Sequence, residues 1–581
     1  MFKNYLLIAR RSMLRTKAYS LLNIGGLSTG MAVGLLIGLW VFDELDYNHS
    51  FENYDRLARV YHHITFGDEI MTVNDLPAPF GETLKNNTPG IEQVAVTTWP
   101  REYLVSINDN SFSETGMFVY PQFFDMFSVH LLDGAKSDDV HTIAISKSLA
   151  KTLFNGDAVG KSVVFNNNDA LLVTGVFEDF PANSEIADVQ MLLPIRYYYS
   201  MNDWQRKSEN NWEDYSFQCF VLLDARSSVE QLNPKIKSLL FENVSNDGKA
   251  LKPEGFLFPM SKWHLYADFK DGINTGGQVR LVWMFGVIGT FVLLLACINF
   301  MNLSTARSER RSKEVGIRKV MGSARYQLIF QFLHESWIMV TISFVLALVL
   351  ALVALPSFNQ LSGKSITIPI TSPGFIALSL LLILITSFVS GSYPAFFLSS
   401  FTPVKVLKGT FRAGRYTSLP RKILVVFQFT ISVTLIICTS IVFLQIQYAK
   451  NRPAGFDLEG IFHVAIRTDN LAGTDYNVLR NELLATGVVE NMAMSDFPIT
   501  GSMAADASLT WEGMDPNQRP LVAFNNCSHD FPSTNGFQFV EGRDFSRSFA
   551  SDSNAVIANE MAAALLAPGG SVIGKKNSAW Q

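Results

Sequence analysis

Residues 281–303 read LVWMFGVIGTFVLLLACINFMNL, and residues 306–323 beyond them read ARSERRSKEVGIRKVMGS. The first stretch carries no charge over 23 residues. A helix of about 20 mostly apolar residues crosses a hydrocarbon core about 30 Å thick, so this stretch reads as a membrane span. The second is dense in charge, yet Val315, Ile317, Val320 and Met321 give it an apolar component. Working outward, four more stretches qualify as spans: Tyr19 to Phe42, Trp337 to Leu355, Gly374 to Phe397 and Ile423 to Leu444. The expected class is therefore a multi-pass α-helical membrane protein.

Composition agrees. Of 581 residues, 48% are apolar and only 17% charged, a departure from soluble averages toward membrane proteins. The net charge of −5 implies no nucleic-acid partner. The four cysteines are dispersed, so no disulfide framework is expected. No Cys or His pair has zinc-ligand spacing, and neither a metal nor a cofactor is expected.

Loop charges set a topology, because Lys and Arg near span ends stay on the cytoplasmic side. Lys3, Arg10, Arg11, Arg15 and Lys17 precede the first span; Arg307 to Arg325 follow the second; Lys405 to Lys422 precede the fifth. The expected order is a cytoplasmic segment 1–18, span 19–42, a large outer domain 43–280, span 281–303 and a cytoplasmic loop 304–336. Spans 337–355 and 374–397, a cytoplasmic linker 398–422, span 423–444 and a second outer segment 445–581 complete it. Phe2, Tyr5, Leu6, Ala9 and Met13 form an apolar stripe, which suits either an interfacial helix or a plain lead-in. In the first span, Gly26, Gly30, Gly34 and Gly38 recur every four residues, on one face where another backbone can pack closely. Asn299, Asn302 and Gln428 read as hydrogen bonders between helices rather than transport ligands.

The chain also repeats itself. Leu131 to Gly134, Thr142 to Ala150 and Val159-Gly160-Lys161 recur as Phe539 to Gly542, Ala555 to Ala563 and Ile573-Gly574-Lys575. Gly90 to Ala95 is echoed more loosely by Gly487 to Ala493. The unit is one span, a large mixed α and β outer domain, then three spans, with a second copy starting at Ile423 and incomplete. The expectation is a fragment of an eight-span form. Within the domain, Thr142 to Ile145 and Leu171 to Val176 read as strands, Ser146 as a helix cap, and Asp179 to Ser184 as a turn.

Gly156 to Ser162 suggests a phosphate loop, but it has one residue too few between its glycines. The copy from Gly569 has Lys576 where a Ser or Thr should hold magnesium. Both read as structural turns. No constellation of nucleophile, base and oxyanion stabiliser is visible, and no catalytic residue is assigned.

The loop Glu314-Val315-Gly316-Ile317-Arg318-Lys319 with Gly322 suits a short amphipathic helix docking in a partner's groove, Gly322 closing the element. It resembles the E-[VI]-G-[IV]-R-K-x-x-G coupling segment of MacB/FtsX-like ABC permeases. Phe123 to Phe127, Leu131 to Gly134 and Val173 to Pro181 resemble that family's MacB-type periplasmic core domain. Gly391 to Ala395 and Pro403 to Gly409 resemble the end of its fourth span and the following loop. The resemblance implies a permease in the inner (cytoplasmic) membrane, without its own ATPase, coupled through this loop to a separate ABC nucleotide-binding ATPase subunit. It also implies outer domains that move to export a peptide, lipoprotein or drug-like substrate, and leaves room for a periplasmic adaptor or outer-membrane protein. The alternative in the same family is a non-transporting, FtsX-like regulator of cell-wall hydrolases.

Overall fold

The computed structural model describes residues 17–66, 69–108, 110–306, 315–400, 419–453, 455–457, 459–466, 476–501, 504–506, 510–511, 514, 520 and 522–575. The stripe Phe2 to Met13, the segment Arg307 to Glu314, the stretch Pro403 to Gly409 and Lys576 lie outside them. The chain divides into one unit of Met1–Asp46 with Gln278–Asn451, and another of Tyr47–Gly277 with Arg452–Gln581.

Among the described residues of the first unit, five helices are long and apolar enough to cross a membrane. They are Lys17–Leu45 (span 1), Val279–Ala306 (span 2), Arg325–Ser362 (span 3), Pro373–Ser399 (span 4) and Leu419–Asn451 (span 5). Span 3 far exceeds its apolar stretch. Its 38 residues reach roughly 57 Å at 1.5 Å per residue. Hydropathy marks only what lipid can cover, whereas a helix continues until its end groups are satisfied elsewhere. The chain enters span 3 where the Ala324 N–H donates to Gln327 Oε1 (3.0 Å), and leaves it on Gly363 at φ +67°, whose N–H donates to the Asn359 carbonyl.

Span 1 packs against spans 2 and 3, and span 3 against span 4. Leu27, Met31, Phe300, Met339, Val340 and Phe344 form their shared core. Buried hydroxyls on these helices close on their own backbone: Ser343 donates to Met339, Ser387 to Ile383 and Ser390 to Thr386. Such bonds satisfy a polar group where no water can. Span 5 touches span 2, where Asn302 Nδ2 donates to Gln428 Oε1 at 3.2 Å.

In the second unit, the strand Phe217–Leu223 is buried at every position. Unbroken burial means that both faces of the sheet are covered, and the two-residue period survives in what each side chain meets. Phe217, Cys219, Val221 and Leu223 enter one apolar core, and Phe220 and Leu222 the other. The strand Thr142–Ser146 behaves alike, with Ile143 and Ile145 on one side and Ala144 on the other. These strands belong to a 12-stranded mixed sheet. Most pairings are antiparallel, but Thr142–Ser146 runs parallel to Asp169–Phe177, and Met191–Pro194 parallel to Asn110–Val119. Ser146 accepts a bond from the Leu149 N–H and caps the helix Lys147–Phe154. The turn after Asp179 is tied to the start of the domain, since the Asn48 N–H donates to the Asn183 carbonyl and Asn48 Oδ1 accepts from the Glu185 N–H.

The internal repeat is visible in backbone conformation. Gly90, Gly134 and Gly160 have φ of +108°, +76° and +81°; their counterparts Gly487, Gly542 and Gly574 have +67°, +83° and +75°. Ser128 at +52° has the same relation to Gly134 that Gly536, at +67°, has to Gly542. Asn559 caps the helix Glu560–Leu566 by accepting from the Ala562 N–H, as Ser146 does in the first copy. At Gly134 the left-handed backbone is also crowded, because a Cβ there would collide with the Thr174 carbonyl.

Candidate coupling site

Residues 315–320 form a short helix ahead of span 3. Its end is built by Gly322 at φ +95°. The Ser323 N–H donates to the Arg318 carbonyl (3.0 Å) and the Gly322 N–H to the Lys319 carbonyl (3.1 Å). That pair of bonds around a left-handed glycine is a Schellman motif, which satisfies the last carbonyls and turns the chain sharply.

One side of this helix is fastened to the membrane unit. Val315 is 2% exposed and packs with Leu328 and Phe332 of span 3 and Ala395 and Leu398 of span 4. Gly316 is buried beside it. Lys319 Nζ donates to the Ser399 carbonyl at 2.7 Å, a cation placed on the C-terminal end of span 4, where helix carbonyls concentrate negative charge. Arg318 Nη1 donates to Gln331 Oε1 on span 3. The other side faces away: Ile317, Val320 and Met321 are 52%, 64% and 81% exposed. Their spacing of three and four residues puts them on one helical face. The assembly therefore presents an apolar surface on a helix that a buried valine and two cations hold against spans 3 and 4.

Of the residues singled out in sequence, Val315, Gly316, Ile317, Arg318, Lys319 and Gly322 come together here, while Glu314 lies outside the described residues. Their receiving partners, Gln331, Ser399, Ala395 and Leu398, were missed. Only Gly391 to Ala395 hinted at them, and no sequence periodicity relates positions about 80 residues apart.

The glycine row of span 1 divides. A Cβ on Gly30 would meet Ala296 Cβ at 2.5 Å, and one on Gly26 would meet Asn299 Nδ2 at 3.2 Å, so these two lie against span 2. Among the described residues of other elements, nothing lies within 4 Å of such an atom on Gly34 or Gly38. The expectation that all four pack together does not describe this arrangement. Higher up, the small residue is on the partner, where a Cβ on Gly289 would meet Ile37 Cγ2 at 3.0 Å. The close approach passes from one helix to the other, so half the row is not needed for it.

The loop from Gly156 to Ser162 is bonded to the strand Asp169–Phe177 and to itself. The Gly160 N–H donates to the Val173 carbonyl (2.9 Å), the Val173 N–H to the Lys161 carbonyl (2.8 Å), and Lys161 Nζ pairs with Asp157 at 3.1 Å. A phosphate cradle needs those groups free.

Two family descriptions match the chain in order: a MacB-like periplasmic core domain over residues 20–239, and an FtsX-like permease C-terminal region over residues 286–403. The chain is 22% identical over 334 residues to the macrolide export ATP-binding/permease protein MacB of Bdellovibrio bacteriovorus, covering 56% of this chain and 48% of that one. It is 23% identical over 246 residues to the uncharacterized ABC transporter permease YvrN of Bacillus subtilis, covering 39% and 56%. The chain thus spans about half the length of the curated relatives it matches. A domain of a putative permease from Porphyromonas gingivalis aligns with a TM-score of 0.32 and 27% identity, over 36% of this chain and 93% of that one. With a core-type outer domain followed by permease-type spans, this chain belongs to the MacB/FtsX-like ABC permeases: a multi-pass membrane protein with a large extracytoplasmic α+β domain.

Proposed function

We propose that this chain is the permease subunit of an ABC-type export system, and that residues 314–322 dock on a separate nucleotide-hydrolysing subunit at the cytoplasmic side of the inner membrane. The observation that carries this reading is the two-sided helix at 315–320, with Val315, Arg318 and Lys319 fastened to spans 3 and 4 and Ile317, Val320 and Met321 exposed on its other side. An apolar helical face presented in this way suits a groove on a partner. Basic residues around it keep it on the inner side, which leaves the N-terminus inside and the large domains outside. Hydrolysis by the partner then moves the outer domains, which handle a peptide, lipoprotein or drug-like molecule and engage an adaptor or outer-membrane protein. The chain itself performs no chemistry in this scheme.

The test is co-purification of the complete chain with an ATPase, followed by hydrolysis assays on Gly316→Asp and Glu314→Lys. Both variants are expected to lose stimulation of hydrolysis. Retained stimulation in both, or labelling of Lys313 from outside the cell, refutes the assignment.

A further inference from the structure

Span 3 has a second end. Gly363 caps it in the left-handed conformation, the Lys364 N–H donates back to the Asn359 carbonyl (3.2 Å), and Asn359 Nδ2 donates to the Ile366 carbonyl (2.9 Å). Lys364 is therefore set firmly on the tip of the helix that begins beside the coupling element. It is the one basic residue between Pro356 and Pro373. Its ammonium lies 2.5 Å from Asp43 Oδ2 and 2.8 Å from Glu44 Oε1, both in the last turn of span 1. It also lies 5.9 Å from the centre of the Trp40 ring. The Lys364, Asp43 and Glu44 side chains are only 17%, 24% and 5% exposed. An exposed ion pair holds two elements weakly, but one withdrawn from water is costly to separate, because each charge would be left without a counterion.

We infer that Lys364 is a positioning residue that ties the tip of span 3 to the end of span 1, so that displacement at the coupling element reaches the segment leading into the large outer domain. This rests on the reading given under Proposed function. Span 3 runs as one helix from Arg325 to Ser362, with Pro356 in its last two turns, and so joins the coupling element to the Lys364 tip through continuous helical backbone. Span 1 ends at Leu45, and the outer unit starts at Tyr47. The helices also touch along their sides, but apolar contacts between membrane helices can slide, whereas a two-carboxylate clamp fixes one position along the axis. The three groups belong together as a clamp: Asp43 and Glu44 are adjacent acids that would repel each other without the lysine between them.

The experiment uses the complete chain co-purified with its ATPase in lipid nanodiscs, with Cys438 and Cys527 replaced by Ser and spin labels at Asp157→Cys and Ile370→Cys. Distance distributions are recorded without nucleotide and with ATP plus vanadate. If the wild-type chain binds no ATPase, the functional reading itself fails, before Lys364 is altered. If it does, Lys364→Ala is expected to keep the ATPase bound and to reduce the nucleotide-dependent population shift about fivefold or more, the lower end of usual coupling strengths. Lys364→Arg, which can span both carboxylates, should retain the shift. An unchanged shift in Lys364→Ala overturns the inference and leaves the functional reading standing. So does an equal loss in Lys364→Arg, which would indicate general disruption. Should Lys364→Ala not fold, the double variant Asp43→Asn, Glu44→Gln decides in its place, since it removes the charges and keeps the shapes.

Discussion

Replacing Ile317, Val320 and Met321 together by Ser should separate docking from folding. Full burial of a Val, Ile or Met side chain is favourable by about 1.5–3 kcal/mol. Scaling the middle of that range by exposures of 52%, 64% and 81% gives about 4 kcal/mol for covering all three. Because 1.4 kcal/mol is tenfold, the triple variant should bind the ATPase about a thousandfold more weakly. The membrane unit should keep its melting temperature, since all three side chains are exposed on it. Val315→Ala supplies the opposite pattern. Its side chain is already covered by Leu328, Phe332, Ala395 and Leu398, so truncation should cost about 1–2 kcal/mol of stability, and its direct effect on affinity should be small. Surface-immobilised ATPase titrated with nanodisc-embedded permease, alongside thermal unfolding, measures both quantities. A triple variant that binds within a few-fold of wild type would refute the argument, because the exposed face would then have no partner on the ATPase.

Further outcomes follow from single sites. Gly30→Val should destabilise the packing of spans 1 and 2 by about 1–3 kcal/mol through collision with Ala296, while Gly34→Val, in open space, should stay within about 0.5 kcal/mol of wild type; unfolding in detergent compares them. Ser146→Ala and Asn559→Ala should each cost about 1 kcal/mol, measured by hydrogen exchange in the helices they cap, if the two copies use the same device. His62 is buried, and that burial pulls its imidazole down to about 3, with the His63 charge adding to the effect. Its folded value lies below the unfolded value near 6.5, so the stability it contributes is present above that pH and is lost toward the folded value as acid is added. Denaturant unfolding followed by tryptophan fluorescence should show the outer domain losing about 1.4 kcal/mol per pH unit below pH 6, and a shallower slope in His62→Phe.

Much of this architecture is written locally. Long uncharged stretches, the cap at Ser146 and the left-handed glycines of the repeat each depend on a few neighbouring residues, and one sequence displays them directly. Gly322 belongs to this group, since a glycine after a short helix is enough to suggest its closure. The clamp at Lys364 does not. A lone lysine in an outer loop and two acids at the end of span 1 are visible signals, but they lie more than 300 residues apart and nothing in either pattern names the other. The glycine row misled for a related reason: periodicity identifies a face, whereas the crossing of two helices determines how much of that face is used.

The sequence alone is enough to identify the kind of molecule: membrane spans, a large α and β outer domain whose motifs partly recur later in the chain, and a short amphipathic element among basic residues. Those are properties of composition and of two periodicities, 3.6 and 2, which bonds between near neighbours impose. The tertiary structure decided which side of the 315–320 helix is held and which is exposed, where span 3 ends, and that its tip reaches span 1. Such contacts join residues far apart in the chain, and their geometry exists only once the helices have packed.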